Sequence, residues 1–111
     1  LLHARVLPAV GGDTLWCSAI AAYAALPSGL QSDLASLEAV HDFGSFRNSY
    51  ATAERGGRSA SFRVSEAAAR FGQAVHPVVR THESTGERAL FVNEAFTNQV
   101  VGLDRAESNR L

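Results

Sequence analysis

Two β-rich runs, residues 75–81 and 89–92, are separated by little more than His82-Glu83-Ser84-Thr85-Gly86-Glu87, and that closeness commits the chain to a β-hairpin. Gly86 supplies the positive φ that such a loop needs. Residues 1–7 also read as a strand, with Leu2, Ala4 and Val6 on one face and His3 and Arg5 on the other, a period of two. Residues 8–14 are a turn, in which Gly11, Gly12 and Asp13 give backbone freedom and a helix-initiating side chain. The period then becomes helical. A first helix is predicted over 17–25, where Ile20, Tyr23 and Ala24 share a face, and Pro27 ends it. Ser28 is the expected N-cap of a second, whose Leu30, Leu34 and Leu37 form one buried stripe. Residues 39–43 read as a short strand, and Ser65 caps a third helix over 66–71. From 44 to 61 the periodicity dissolves into a long loop of the functional or mobile kind. The expected class is α+β, with strands flanking a helical insertion.

The length of 111 residues allows one domain. With 46% hydrophobic and 19% charged residues, the chain can bury a core. Ten Arg, no Lys and eleven acidic residues leave a net charge of -1, which gives no footprint for nucleic acid or for a membrane surface. The longest apolar stretch, 19–26, stops at Pro27, far short of the ~20 residues that a membrane-spanning helix needs. A single cysteine, Cys17, excludes an internal disulfide and points to a reducing, cytoplasmic setting. The chain starts with Leu1 rather than Met. Asp104 and Glu107 form a capping-box pattern that opens a helix with only residues 105–111 in which to grow. Residues 1–111 are therefore expected to be an internal segment of one larger domain, truncated at both ends. The alternative is a complete small domain with a frayed terminus.

Four histidines raise the question of a metal. His41 and Asp42 are neighbours on a strand and point to opposite faces. His76 and His82 are separated by Pro77 and a turn, and no H-x-D or H-x-E pattern occurs, so no metal site is expected from these residues. Cys17 is read as a buried, inert thiol rather than a nucleophile. Gly11-Gly12-Asp13-Thr14 lacks the Lys and the spacing of a phosphate loop. No catalytic residue emerges.

Two longer strings are more specific. One is Pro8-Ala9-Val10-Gly11-Gly12-Asp13-Thr14-Leu15-Trp16, then Ala21-Ala22-Tyr23-Ala24-Ala25-Leu26 and His41-Asp42-Phe43. The other is His76-Pro77-Val78-Val79-Arg80-Thr81-His82, Thr85-Gly86, Ala89-Leu90-Phe91-Val92-Asn93-Glu94-Ala95-Phe96-Thr97 and Val100-Val101-Gly102-Leu103. In order and spacing the chain resembles the taurine dioxygenase (TauD/TfdA) family of Fe(II)- and 2-oxoglutarate-dependent dioxygenases, least so from 44 to 72.

The resemblance implies a partial double-stranded β-helix, a cupin-like jelly roll with a helical insertion. It implies Fe(II), 2-oxoglutarate and O2 in the parent enzyme, whose H-x-D pair, distant His and carboxylate-anchoring Arg fall outside this chain. Thr14 would donate its hydroxyl to a 2-oxoglutarate carboxylate, Phe96 would line the substrate pocket, and Phe46, in the mobile loop after His41-Asp42-Phe43, would cover it. The alternatives are Thr14 as a helix N-cap and either Phe as plain core. The implied reaction hydroxylates a small organic acid (a taurine-like sulfonate, an alkyl sulfate or an aryloxyalkanoate) and releases succinate and CO2. The parent would be a cytoplasmic homo-oligomer. Two other readings stay open: a small non-catalytic binding or interaction module, and a piece that assembles with separately encoded partners.

Overall fold

A computed structural model describes residues 3–43 and 64–111. Their elements are α1 (Ala19–Ala24), α2 (Ser28–Leu34), β1 (Glu38–His41), α3 (Val64–Phe71), β2 (Ala74–Pro77), β3 (Val79–Thr81), β4 (Arg88–Leu90), β5 (Thr97–Val100) and α4 (Arg105–Arg110). The strands form two antiparallel sheets, one in the order β2-β1-β5 and the other the β3-β4 hairpin. Helices with antiparallel sheets agree with the α+β expectation.

The expected strand over 75–81 is two strands serving two sheets. Pro77 has no N–H with which to continue a ladder. At Val78 the chain changes partner: its N–H donates to the Leu37 carbonyl at 2.9 Å, and its own carbonyl accepts from Phe91 N–H at 2.8 Å. Val78 is 2% exposed and forms the core with Leu34 and Ala39, against which Leu26, Leu30, Leu37, Val79 and Leu90 pack. The leucine stripe of α2 thus faces the point where the two sheets diverge. The hairpin closes through Gly86, at φ +72°, whose N–H donates to the His82 carbonyl at 2.8 Å.

The helices are tied down by polar side chains. The buried Tyr23 hydroxyl accepts from Arg88 Nη1 at 3.2 Å, joining α1 to β4. Gln31 Nε2 donates to the carbonyls of Tyr23 and Leu26, at 3.2 and 2.9 Å, and so satisfies the open end of α1. The capping box of Asp104 and Glu107 is formed in both directions. Ser108 Oγ, one turn on, accepts from Val100 N–H at 3.1 Å and holds α4 against β5.

Further expectations are corrected: Ser28 and Ser65 lie inside α2 and α3 rather than capping them. Among the described residues, 3–18 form no strand, and Val6, Leu7, Val10, Leu15 and Trp16 are each 79–93% exposed. A two-residue period makes a strand only where a second strand takes its N–H and C=O groups, and none does here. Cys17 is exposed, not buried. The helix after the glycine turn starts at Ala19, capped by Ser18 Oγ, which accepts from Ala21 N–H at 3.1 Å. The cap of α1 is therefore neither Asp13 nor Thr14. No helix among the described residues is long and apolar enough to cross a membrane.

Candidate functional site

Where β1 ends, it meets the end of α3 and the approach to β5. His41, Asp42, Phe43, Phe71, Gly72, Ala74 and Phe96 line a recess of about 240 Å³ there. Its walls are aromatic. The rings of Phe43 and Phe96 meet edge to face at 5.6 Å between centroids, and Phe71 lies 6.0 Å from Phe43 on a tilted plane. The Arg70 guanidinium stands 5.2 Å above the Phe71 ring.

A β-bulge shapes this end of the sheet. Val40 faces Gln99 but His41 faces Thr97, so Asn98 is an extra residue on β5. The bulge turns the Asn98 amide toward Asp42, whose Oδ2 accepts from Asn98 Nδ2 at 2.9 Å and from Gln73 Nε2 at 2.9 Å. The Asp42 N–H donates to the Phe96 carbonyl at 2.9 Å. Phe96 itself rides on a turn closed by Asn93, whose Oδ1 accepts from Phe96 N–H at 2.9 Å.

His41 packs against His76 on the neighbouring strand and against Phe91, with ring centroids 5.3 and 5.5 Å away. Arg80 lies 4.9 Å over that Phe91 ring. Burial lowers the His41 pKa below its ordinary value, His76 lowers it further, and Asp42 opposes both. The buried Nε2 of His41 has no hydrogen-bond partner among the described residues. Among the described residues, no group of three or more His, Cys, Asp or Glu side chains gathers. His41 and His76 make a two-nitrogen pair without a third donor, and these residues do not fit an iron centre.

The sequence-named residues fall apart in space. Phe96 is in the recess and 39% exposed. Thr14 is exposed in the stretch before α1 and is not among the residues lining the recess. Its alternative role as a helix cap is taken by Ser18. Gly12, two residues earlier, holds φ +80°, and a Cβ there would come within 3.3 Å of Pro8 Cγ, so the turn that presents Thr14 favours glycine. Phe46 lies outside the described residues. His82 accepts or donates at Nδ1 to Thr85 Oγ1 at 3.1 Å inside the hairpin loop, away from His76. Sequence reasoning gave no role to Asp42, Phe43, Phe71, Gln73 or Asn98. The His41-Asp42-Phe43 string marked one corner of the recess, but nothing local signals the bulge that brings Asn98 to it.

A larger recess, about 280 Å³, lies between α2, β5 and α4, lined by leucines 26, 30, 34, 90 and 111 with Asn98, Asn109 and others. It is mainly apolar and continues the core that Leu34 and Val78 begin.

Comparison with known proteins is consistent across the chain. The family model described as taurine catabolism dioxygenase TauD, TfdA family, matches residues 1–111. An alpha-ketoglutarate-dependent sulfate ester dioxygenase of Pseudomonas putida is 36% identical over 117 residues, covering 100% of this chain and 36% of its own length. An alpha-ketoglutarate-dependent 2,4-dichlorophenoxyacetate dioxygenase of Cupriavidus pinatubonensis is 39% identical over 112 residues, with the same two coverages of 100% and 36%. The crystal structure of a taurine dioxygenase from Burkholderia xenovorans superposes with a TM-score of 0.65 at 29% identity, over 94% of this chain and 29% of that one. The chain thus spans about a third of the length of these relatives.

Proposed function

The chain belongs to the taurine catabolism dioxygenase TauD/TfdA family, and from that premise we propose that residues 1–111 are an internal segment of a single Fe(II)- and 2-oxoglutarate-dependent dioxygenase domain. Its substrate is a small organic acid: a sulfonate, an alkyl sulfate or an aryloxyalkanoate. The observation that carries the reading is the match along the whole chain, together with relatives that act on a sulfate ester and on 2,4-dichlorophenoxyacetate by name. The products are succinate, CO2 and the hydroxylated acid. The two antiparallel sheets are this segment's share of a cupin-like jelly roll.

The described residues do not supply the iron ligands, and the reading assigns those, with the Arg that anchors 2-oxoglutarate, to the rest of the parent chain. What this segment contributes is positioning. Thr14 donates its hydroxyl to a carboxylate of 2-oxoglutarate, a charge-assisted bond that fixes one end of the co-substrate. Phe96 forms an apolar wall that orients the organic acid and keeps water from the reacting carbon, and Phe46 is assigned to cover the same pocket. The aromatic lining of the recess supports that role for Phe96. The parent is read as a cytoplasmic homo-oligomer without nucleic-acid or membrane partners.

The test is turnover by the full-length protein. With Fe(II), ascorbate and 2-oxoglutarate, succinate should form faster when taurine, an alkyl sulfate or an aryloxyacetate is added. No binding of 2-oxoglutarate and no substrate-stimulated succinate would favour a non-catalytic binding module instead.

A further inference from the structure

We propose that Asp42 is a positioning residue that fixes the aromatic wall of the recess, Phe96 above all, for the organic substrate. This rests on the reading of Phe96 as a pocket wall given above. Asp42 sits on one of the three segments that carry the aromatic rings, and its hydrogen bonds reach the other two. Phe43 follows Asp42 directly in sequence. Phe71 stands two residues before Gln73, whose amide donates to Asp42 Oδ2 at 2.9 Å. Phe96 stands two residues before Asn98, whose amide donates to the same oxygen at 2.9 Å. One carboxylate oxygen thereby gathers the end of β1, the junction of α3 with β2, and the start of β5.

The backbone completes the clamp. Phe96 is held at its N–H by Asn93 Oδ1 and at its carbonyl by the Asp42 N–H, each at 2.9 Å. Its ring leans on Phe43, at 5.6 Å. An edge-to-face pair tolerates little rotation of its partner without losing contact. The bulge at Asn98 places a residue where a regular ladder would place none. Bonds from neutral amides to a carboxylate are stronger than neutral ones. Removing the carboxylate would free two chain segments while leaving every ring in the sequence. A pocket wall displaced by about an ångström weakens orientation of the bound acid without touching the co-substrate.

The experiment is steady-state kinetics of the full-length enzyme with its best organic acid, on Phe96→Ala, Asp42→Ala, Asp42→Asn and the double alanine variant. Phe96→Ala should raise KM for the organic acid roughly tenfold or more, and Asp42→Ala should raise it by about the same factor. KM for 2-oxoglutarate should stay within about threefold in both. Asp42→Asn keeps an acceptor oxygen at the same reach and should restore KM to near the wild-type value. The double variant should be no worse than Phe96→Ala alone, because the two residues act as one unit. A residue that merely holds the fold together would lower active fraction and kcat for every substrate and leave the KM values alone. The proposal is overturned if Phe96→Ala raises KM while Asp42→Ala does not, or if the two effects multiply in the double variant. If Phe96→Ala itself leaves KM unchanged, the pocket-wall reading fails first, and Asp42 then has no wall to position. Should Asp42→Ala not accumulate as folded protein, Asn98→Leu and Gln73→Leu remove the donors one at a time. Each should raise the same KM by roughly threefold, and no change in either overturns the clamp.

Discussion

The imidazoles of His41 and His76 meet edge to face across β1 and β2, with centroids 5.3 Å apart, and one buried nitrogen of His41 has no hydrogen-bond partner among the described residues. A second charge on this pair would sit against the first, with Phe91 packed on both rings.

That arrangement makes the fold sensitive to acid. Burial and His76 lower the His41 pKa below 6.5, so the unfolded chain takes up the proton first as pH falls. Stability from this residue is therefore complete above pH 6.5, declines as pH drops through that value, and stops declining below the lowered folded pKa. Melting temperatures of the full-length protein between pH 8 and 5 (roughly the range that brackets histidine titration) should fall toward acid. His41→Leu should flatten that slope. An unchanged slope would remove His41 from the effect.

Val78 is the pivot of both sheets, and truncating it should be costly. Val78→Ala deletes two buried carbons from a site that is 2% exposed and leaves a hole facing Leu34 and Ala39. The expected loss is about 2 kcal/mol, read as a lower denaturant midpoint at constant m-value. A loss under about 0.5 kcal/mol would mean that the core closes over the gap.

Thr14 and Ser18 can now be separated. Ser18→Ala removes the cap of α1 and should lower stability by about 1 kcal/mol with little change in 2-oxoglutarate affinity. Thr14→Val should do the reverse. Loss of a hydrogen bond to a charged group costs roughly 1.5–3 kcal/mol, so 2-oxoglutarate should bind about 10- to 150-fold more weakly at unchanged melting temperature. Isothermal titration and thermal melts on both variants give the comparison. Equal co-substrate affinity in wild type and Thr14→Val takes Thr14 out of the site.

The 111-residue chain on its own should bind Fe(II) more weakly than micromolar, since its described histidines and acids nowhere gather in threes. It should also self-associate. Leu15 and Trp16, 93% and 91% exposed, stand on the same uncovered stretch as Val6, Leu7 and Val10. Anaerobic titration and sedimentation over a concentration range test the two expectations. A stoichiometric tight iron site overturns the first, and a monomer at all concentrations overturns the second.

Features whose cause is local were legible in the sequence. The Asp104–Glu107 capping box, the Gly86 hairpin and the leucine stripe of α2 each depend on residues within a turn or two of one another. Failures came where a distant partner decides. The alternation in residues 3–7 found no second strand among the described residues. Residues 97–100, Thr-Asn-Gln-Val, have no apolar alternation, yet they form β5, because β1 offers its free edge and Asp42 takes the Asn98 amide. Pro77 was visible, but that it would hand one run of chain to two sheets was not, since Leu37 and Phe91 settle it from far away. For the site, Phe96 could be named from its string, whereas the clamp around it depends on a bulge that no short string encodes.

The pairing of β1 has a consequence for the order in which the chain can fold. Its neighbours are delivered late: Glu38 waits for Pro77, and Ala39 waits for Val100, more than half the chain away. The β3-β4 hairpin needs only a short loop to close and can form as soon as Leu90 has emerged from the ribosome. The central strand of the larger sheet is thus made before either of its neighbours, and both its edges are satisfied only after β5 follows. Throughout that interval its N–H and C=O groups are open edges of the kind that other chains can pair with.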